Sequence, residues 1–205
     1  PLLSTHWALL VALGLPLMLG MLAALFPPKR AWPVVLASVP VLASGLMLLS
    51  AYDQAGLLRW HWDIAGVQLS LRLNGLSVLL LLMTQVIGVA AAIYTPGYLR
   101  LSETGPLARW LWPLMGVVLS ALSLIWLATD LLTLYAGLEL MGLAAVGMLM
   151  LSGKVAALVA GMRYLLLALM GSLPYLLGVA LILGHWGRLD LQGLAEVVEP
   201  GPVAW

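Results

Sequence analysis

The sequence contains no cysteine and very few charged residues. The absence of cysteine from its 205 residues excludes disulfides, thiolate metal sites and cysteine nucleophiles. Asp, Glu, Lys and Arg make up 8% of the chain, whereas soluble domains carry about 25%. Hydrophobic residues make up 63% of the chain. A water-soluble surface cannot be built from so few charges, so part of this apolar surface must face lipid. The composition therefore predicts an integral membrane protein.

The chain also lacks the patterns typical of several functional classes. Its net charge is +1 and its basic residues are scattered, which argues against a nucleic-acid partner. No phosphate loop, metal-ligand spacing or nucleophile elbow is present. His6 and His61 lie near predicted interfaces and His185 ends the last predicted span, so no histidine is placed mid-span to bind haem. We expect no cofactor, no metal and no catalytic centre of its own, and leave open whether the chain is part of a larger enzyme.

Apolar runs of about 20 residues, the length that a spanning helix needs, recur along the chain. They predict about six transmembrane helices within a single membrane domain that occupies residues 1–205. The predicted spans cover residues 7–26, 31–49, 75–94, 110–128, 131–151 and 160–183. Pro96-Gly97 is expected to end the third span, and an amphipathic, acidic tail follows the sixth. The predicted fold class is therefore all-α.

The segment between the second and third spans has a different pattern. From Val67 to Asn74 apolar and polar residues alternate, which is the signature of a half-buried strand. Ala65-Gly66 is a suitable turn, and Trp60 and Trp62 suit a membrane interface. We therefore predict a short β-hairpin on the membrane surface.

The basic residues predict an orientation, because cytoplasmic loops are enriched in Lys and Arg. The loops after spans one, three and five contain Lys29, Arg30, Arg100, Arg109 and Lys154, and the other side contains Arg59, Arg72 and Arg188. The first side is therefore predicted to be cytoplasmic, in a bacterial-type inner (plasma) membrane, with Lys154 as an anchor. Both termini and the hairpin then lie on the opposite side.

Glu139 is the clearest candidate for a functional residue. It lies nine residues after Asp130, which places it roughly 13 Å below the membrane surface at 1.5 Å per residue. An acid near the bilayer centre costs on the order of 2.5 to 3.5 kcal/mol on insertion scales. It needs a partner or a proton there, so we predict that Glu139 carries protons. The alternative is a glutamate that only hydrogen-bonds a neighbouring helix.

Five further residues are candidates for a proton relay, each with a structural alternative. Helical spacing places Tyr135 beside Glu139, either as a hydrogen-bond neighbour or as packing, and Ala136 and Gly142 there would let another helix approach. Arg163 is either a cation in the bundle interior or a side chain that snorkels to the interface. Asp130 is a helix N-cap or marks a proton exit. Lys154 and His185 are relay candidates at the surface, where solvated side chains are the ordinary alternative.

Short motifs in order along the chain resemble a known family. They are Leu73-Asn74-Gly75-Leu76-Ser77, Ile93-Tyr94-Thr95-Pro96-Gly97, Thr129-Asp130-Leu131-Leu132, Gly137-Leu138-Glu139-Leu140-Met141 and Arg163-Tyr164-Leu165. This order resembles the N-terminal part of the antiporter-like, proton-conducting subunits of complex I, Mrp antiporters and membrane-bound hydrogenases. Glu139 matches the acid of the family's W-E-L motif, although Leu138 replaces the tryptophan. Asn74 stands where aspartate is common, and Arg163 where lysine is common.

The resemblance implies a subunit of a proton- or cation-translocating membrane complex. Family members have many more spans than these six, and later helices carry the lysines that partner the glutamate. We therefore expect other membrane subunits to supply lysine-bearing helices, with lipid as the remaining partner. Two alternatives stay open: a truncated antiporter-like subunit that acts as a structural anchor, and the membrane partner of an inorganic-carbon uptake complex.

Overall fold

The computed structural model describes residues 13–18, 21–22, 59–64, 67–99 and 106–197. Within these ranges four helices are long and apolar enough to cross a membrane. They confirm the prediction of an all-α, multi-pass membrane protein. Residues 13–18 and 21–22 are helical within the first predicted span. The rest of that span, and the whole of the second, lie outside the described residues.

Five helices follow one another after residue 74. They are α1 (Gly75–Leu99), α2 (Pro106–Leu127), α3 (Leu131–Met150), α4 (Val155–Trp186) and the short α5 (Leu191–Val197). The first four coincide with predicted spans three to six. Each is separated from the next by a short link in which glycine, proline or a capping side chain interrupts the helical pattern.

Three helices extend beyond the predicted spans: α1 at its end, α2 at its start and α4 at both ends. The apolar span within α1 ends at Thr95, as Pro96-Gly97 predicted, although the helix itself continues to Leu99. Proline removes one backbone hydrogen bond without obliging a helix to stop. Helix α4 begins at Val155 and ends at Trp186, well beyond the predicted span on both sides. Its 32 residues extend for about 48 Å, which exceeds the roughly 30 Å hydrocarbon core of a bilayer.

Two strands precede α1, in the segment for which the sequence predicts a hairpin. Strand β1 (Arg59–Ile64) pairs antiparallel with β2 (Val67–Arg72), with Trp62 opposite Leu69. Residues 65–66 between them lie outside the described residues. As the alternating pattern predicted, the apolar residues Leu71 and Leu73 are buried, in the main apolar cluster.

That apolar cluster lies where β2, α1 and α2 meet. Its buried members are Leu71, Leu73, Val78, Leu81 and Leu127. Farther along the same two helices, Gly88 lets α2 approach closely, because a Cβ at Gly88 would lie 2.7 Å from Cδ2 of Leu119. A second cluster of Ala92 and Trp112 packs α1 against α2 at the other end.

The links between helices continue the hairpin sheet at one end of the bundle. Leu71 of β2 forms an antiparallel bridge with Ala128, in the link between α2 and α3. On the far side of that link, Asp130 forms an antiparallel bridge with Asp190, in the link between α4 and α5. The α2–α3 link therefore lies between the hairpin and the α4–α5 link, and extended backbone joins all three.

Candidate functional site around helix α3

Glu139 lies in the first half of α3 and is half-buried. Its carboxylate forms no hydrogen bond or ion pair with any residue in the described part of the chain. Helix α3 begins at Leu131 as expected, so Glu139 is its ninth residue.

Tyr135 lies one helical turn before Glu139 but is oriented toward another aromatic residue. Its ring stacks on that of Tyr175 in α4, with centroids 5.5 Å apart and planes 17° from parallel. The hydroxyl of Tyr175 donates a hydrogen bond to the carbonyl of Leu131 at 3.0 Å. No hydrogen bond joins Tyr135 to Glu139 in the structure. The observed contact is therefore the packing alternative for Tyr135.

Asp130 is the N-cap of α3, as the sequence predicted. One carboxylate oxygen accepts a hydrogen bond from the Thr133 N–H at 2.7 Å, which satisfies an otherwise free amide of the first turn. The other oxygen accepts bonds from the Thr133 hydroxyl at 2.7 Å and from the Ser70 N–H at 2.9 Å. Asp130 is fully buried, and these three bonds supply the polar contacts that a buried carboxylate needs.

The same junction contains polar contacts that the sequence did not indicate. The Thr129 hydroxyl donates to the Ser70 carbonyl at 2.9 Å, and the two hydroxyl oxygens lie 2.7 Å apart. The backbone N–H of Leu131 donates to the Leu189 carbonyl at 3.2 Å, and that of Leu191 to the Thr129 carbonyl at 2.9 Å. These pairs are about 60 residues apart along the chain, so no local pattern could have identified them.

The remaining relay candidates are exposed in this chain. Arg163 lies in the third turn of α4, and neither it nor Lys154 forms a side-chain hydrogen bond or ion pair with a described residue. Lys154 precedes the first turn of α4 as its N-cap residue, without a side-chain cap. His185 lies in the last turn of α4, edge-on to Trp186 with ring centroids 4.5 Å apart. The structure therefore does not bring these three residues to Glu139.

Glycines on α3 have different roles from those expected. The approach of α2 occurs at Gly137 and Gly147, where a Cβ would lie 2.7 Å from Ile125 and 2.9 Å from Leu114. A Cβ at Gly142 would have no neighbour within 4 Å, and Ala136 is exposed. Gly142 therefore makes no close helix contact in this structure, while Gly137 and Gly147 set the packing of α2 against α3.

Two hydrogen-bonded contacts between neutral side chains join α1 to α2 and were not predicted from the sequence. The Gln85 amide donates to the Ser123 hydroxyl at 3.4 Å, and Ser123 in turn donates to the Leu119 carbonyl at 2.9 Å. The Trp126 indole N–H donates to the Thr84 hydroxyl at 2.9 Å. Such hydrogen bonds between helices hold spans together in lipid. A scan for charged residues does not detect them, because every member is neutral.

The part of the chain that contains α3 and α4 matches a known protein family. Residues 128–205 match the family NADH:quinone oxidoreductase/Mrp antiporter, TM. The matched range includes Asp130, Tyr135, Glu139 and Arg163, so the resemblance predicted from the motifs is confirmed. No curated protein sequence matches the chain.

Two solved structures have a similar fold. One is the membrane-bound sulfane sulfur reductase, an archaeal respiratory membrane complex, with 20% identity and a TM-score of 0.77. The other is the Mrp complex from Dietzia sp. DQ12-45-1b, with 24% identity and a TM-score of 0.75. Each similarity covers 94% of this chain, but the chain spans only 40% and 36% of those two chains. At these identities the similarity to the two structures shows the fold alone.

The acidic side chain that α3 offers within its apolar sequence is the carboxylate of Glu139. No group of three or more His, Asp or Glu residues within the described ranges could hold a metal ion. The structure presents an apolar helix whose N-terminus is capped by the buried Asp130 and which carries Glu139, without a partner among the described residues, about two turns later.

Proposed function

We propose that this chain is a subunit of an antiporter-like membrane complex that translocates protons or another cation, and that Glu139 carries the proton. The observation that supports this most directly is the unpaired, half-buried carboxylate of Glu139 inside a spanning helix. Ionisable residues within spans are costly and are functional by default. The family match over residues 128–205 supports the same class of function.

The carboxylate needs a cation or a proton that the described residues do not supply. Arg163 and Lys154 are exposed and do not reach Glu139. We therefore propose that a neighbouring membrane subunit, or a further helix, brings a lysine toward Glu139. Movement of that charge changes the relative stability of the protonated and ionised carboxyl, which is a physical means of coupling.

The distribution of charge supports an orientation for the complex. The end of the bundle formed by the start of α2 and the α3–α4 link carries Arg109 and Lys154, both exposed. The opposite end carries Arg72 and Arg188, so the basic excess of the first side, five residues against three, depends on Lys29, Arg30 and Arg100 in the sequence. We propose that the Lys154 end faces the cytoplasm of a cell with a bacterial-type inner membrane, following the enrichment of basic residues in cytoplasmic loops.

Glu139→Gln tests the proposal, because glutamine keeps the size and hydrogen bonding of the side chain but cannot ionise. The complex would be purified with the variant chain, reconstituted into liposomes and assayed for proton movement with a pH-sensitive dye. We expect translocation to be abolished while the complex still assembles. Glu196→Gln, which changes an exposed acid in α5 outside the spans, is the matched control and should translocate normally.

A structural anchor is the second candidate, and the Asp130 junction favours it. Three segments distant in the chain meet there: the buried Asp130 carboxylate binds the Ser70 N–H of β2, and backbone hydrogen bonds join the α2–α3 link to the α4–α5 link. Such a junction suits a rigid scaffold. Normal translocation by the Glu139→Gln complex would exclude Glu139 as the carrier. Loss of assembly in Glu139→Ala, without a specific transport defect in Glu139→Gln, would establish the anchor.

A further inference from the structure

Helix α3 presents one continuous face to α4. Leu131, Tyr135, Gly142 and Val146 recur at helical spacing and therefore lie along one stripe. The two helices run antiparallel, since Tyr135 meets Tyr175 whereas Val146 meets Gly161, fourteen residues earlier in α4. Glu139 lies on the same stripe, between these two contacts. We call this stripe and the facing side of α4 the α3–α4 seam.

The seam is closed on both sides of Glu139 by different chemistry. Toward the Lys154 end, a Cβ at Gly161 would lie 3.0 Å from Met150 and 3.4 Å from Val146, so aliphatic side chains fill the contact. Toward the Asp130 end, the closure is the stacked pair Tyr135–Tyr175. Between the two closures, nothing lies within 4 Å of a Cβ placed at Gly142.

Tyr175 is held in this position by two independent contacts. Its ring stacks on Tyr135, and its hydroxyl donates to the carbonyl of Leu131, in the first turn of α3 just after the Asp130 cap. Leu131 in turn donates its own N–H to the Leu189 carbonyl. Tyr175 therefore ties the middle of α4 to the junction that fixes the start of α3.

We propose that Tyr175 is a positioning residue whose stack on Tyr135 forms the barrier between Glu139 and the aqueous phase on the Asp130 side. This inference rests on the proposed role of Glu139 and adds a route to it: water reaches the carboxylate from the Asp130 side only when the tyrosine pair separates. The ring stack itself excludes water, and the hydrogen bond to the Leu131 carbonyl is an additional contact of Tyr175. Loss of the ring opens the seam, whereas loss of the hydroxyl alone leaves it closed.

A single introduced cysteine can measure this barrier, because the chain has no cysteine of its own. Gly142→Cys places a thiol in the seam where there is room for it. The intact complex in sealed membrane vesicles would be treated with a membrane-impermeant, water-soluble thiol reagent from the Asp130 side, and the labelling of this chain measured over time. Ser152→Cys, exposed in the α3–α4 link at the other end, reports the orientation of the vesicles.

We expect Gly142→Cys to react slowly when Tyr175 is present. Adding Tyr175→Ala should raise the labelling rate from the Asp130 side by about tenfold, the order expected when a stacked aromatic pair is lost. Tyr175→Phe retains the ring and should leave the rate unchanged. Tyr164→Ala, which removes an exposed ring from the same helix, is the matched control and should also leave it unchanged.

The outcomes separate the barrier from ordinary packing. An assembled Tyr175→Ala complex whose Gly142→Cys thiol still reacts slowly would overturn the proposal, as would an equal increase in the Tyr164→Ala control. If the Tyr175→Ala complex does not assemble, Tyr135→Ala breaks the same stack from the α3 side. If neither variant assembles, the stack is needed for stability, and the barrier proposal is also overturned. The labelling experiment is independent of the transport assay on Glu139→Gln. If Tyr175→Ala does not raise the labelling rate while Glu139→Gln loses translocation, only the barrier is refuted.

Discussion

The carboxylate of Asp130 accepts a hydrogen bond from the backbone N–H of Ser70 at 2.9 Å, across 60 positions of the chain. The same carboxylate caps α3 through Thr133. One side chain therefore fixes both the start of the helix that carries Glu139 and the position of the hairpin beside it. Glu139 is the ninth residue of the helix that begins at this junction.

Asp130→Ala should destabilise the chain strongly. Loss of an N-cap costs about 0.5–2 kcal/mol, and the Ser70 N–H left buried without a partner adds about 1–3 kcal/mol. We expect a clear fall in the midpoint of thermal unfolding of the protein in detergent. Asp190→Ala removes a cap of the same geometry, to the Gly193 N–H, but from a half-exposed side chain. Its effect should be much smaller, and equal losses would contradict the role assigned to burial at Asp130.

Gly137 and Gly142 should respond differently to alanine, although both lie within α3. A Cβ at Gly137 would lie 2.7 Å from Cγ1 of Ile125 and 3.4 Å from the Ala121 carbonyl, so α2 must move. Overpacking of this kind costs about 1–3 kcal/mol. Gly142→Ala meets no atom within 4 Å and gains about 1 kcal/mol of helix propensity. In detergent, the midpoint of thermal unfolding should be higher for Gly142→Ala than for the unmodified chain, and lower for Gly137→Ala.

Gly187 ends α4 in the left-handed conformation, with φ of 67°, and its N–H donates to the Leu183 carbonyl at 2.8 Å. A side chain in this conformation costs about 1–2 kcal/mol, so Gly187→Ala should lower thermal stability. Gly184→Ala lies in the regular helix just before it and has open space around it. That control should be neutral or slightly stabilising. A stable Gly187→Ala protein would mean that the turn into the Asp190 bridge can form without positive φ.

Arg163→Gln should leave the stability of the isolated chain nearly unchanged. The side chain is exposed and makes no bond within the part of the chain described by the structure, and exposed substitutions of this kind are usually within about 0.5 kcal/mol. Thermal unfolding of the isolated chain in detergent is the measurement. A loss as large as that of Asp130→Ala would show that Arg163 has a partner inside the chain, and would favour its interpretation as an interior cation.

Local patterns predicted the elements well where the pattern itself causes the structure. Thr129-Asp130 before an apolar run predicted the cap of α3, because the cap bond reaches only three residues ahead. The end of the third span was also predicted, since the apolar span ends at Thr95, directly before Pro96-Gly97. The helix itself continues to Leu99, because proline removes one backbone hydrogen bond without obliging a helix to stop.

The candidate site was predictable in part for the same reason. A lone acid in an apolar run identifies Glu139 because the cost of burying charge is set by composition and depth alone. Tyr175 and Ser70 could not be identified in this way. Their roles arise from contacts with Tyr135, Leu131 and Asp130, and a tyrosine or serine in an apolar sequence has no distinctive local pattern.

The sequence by itself determined that the chain is a multi-pass membrane protein, roughly where its later helices lie, and that Glu139 falls within an apolar helix. These properties follow from hydrophobicity and helical rise, which act residue by residue. Only the tertiary structure decided that the hairpin and the two helix links form one bridged layer around Asp130. It also decided that Gly137, rather than Gly142, meets α2 and that Tyr175 stacks on Tyr135. Those pairings join residues that are distant in the chain and are selected by shape and hydrogen bonding, which no single segment encodes.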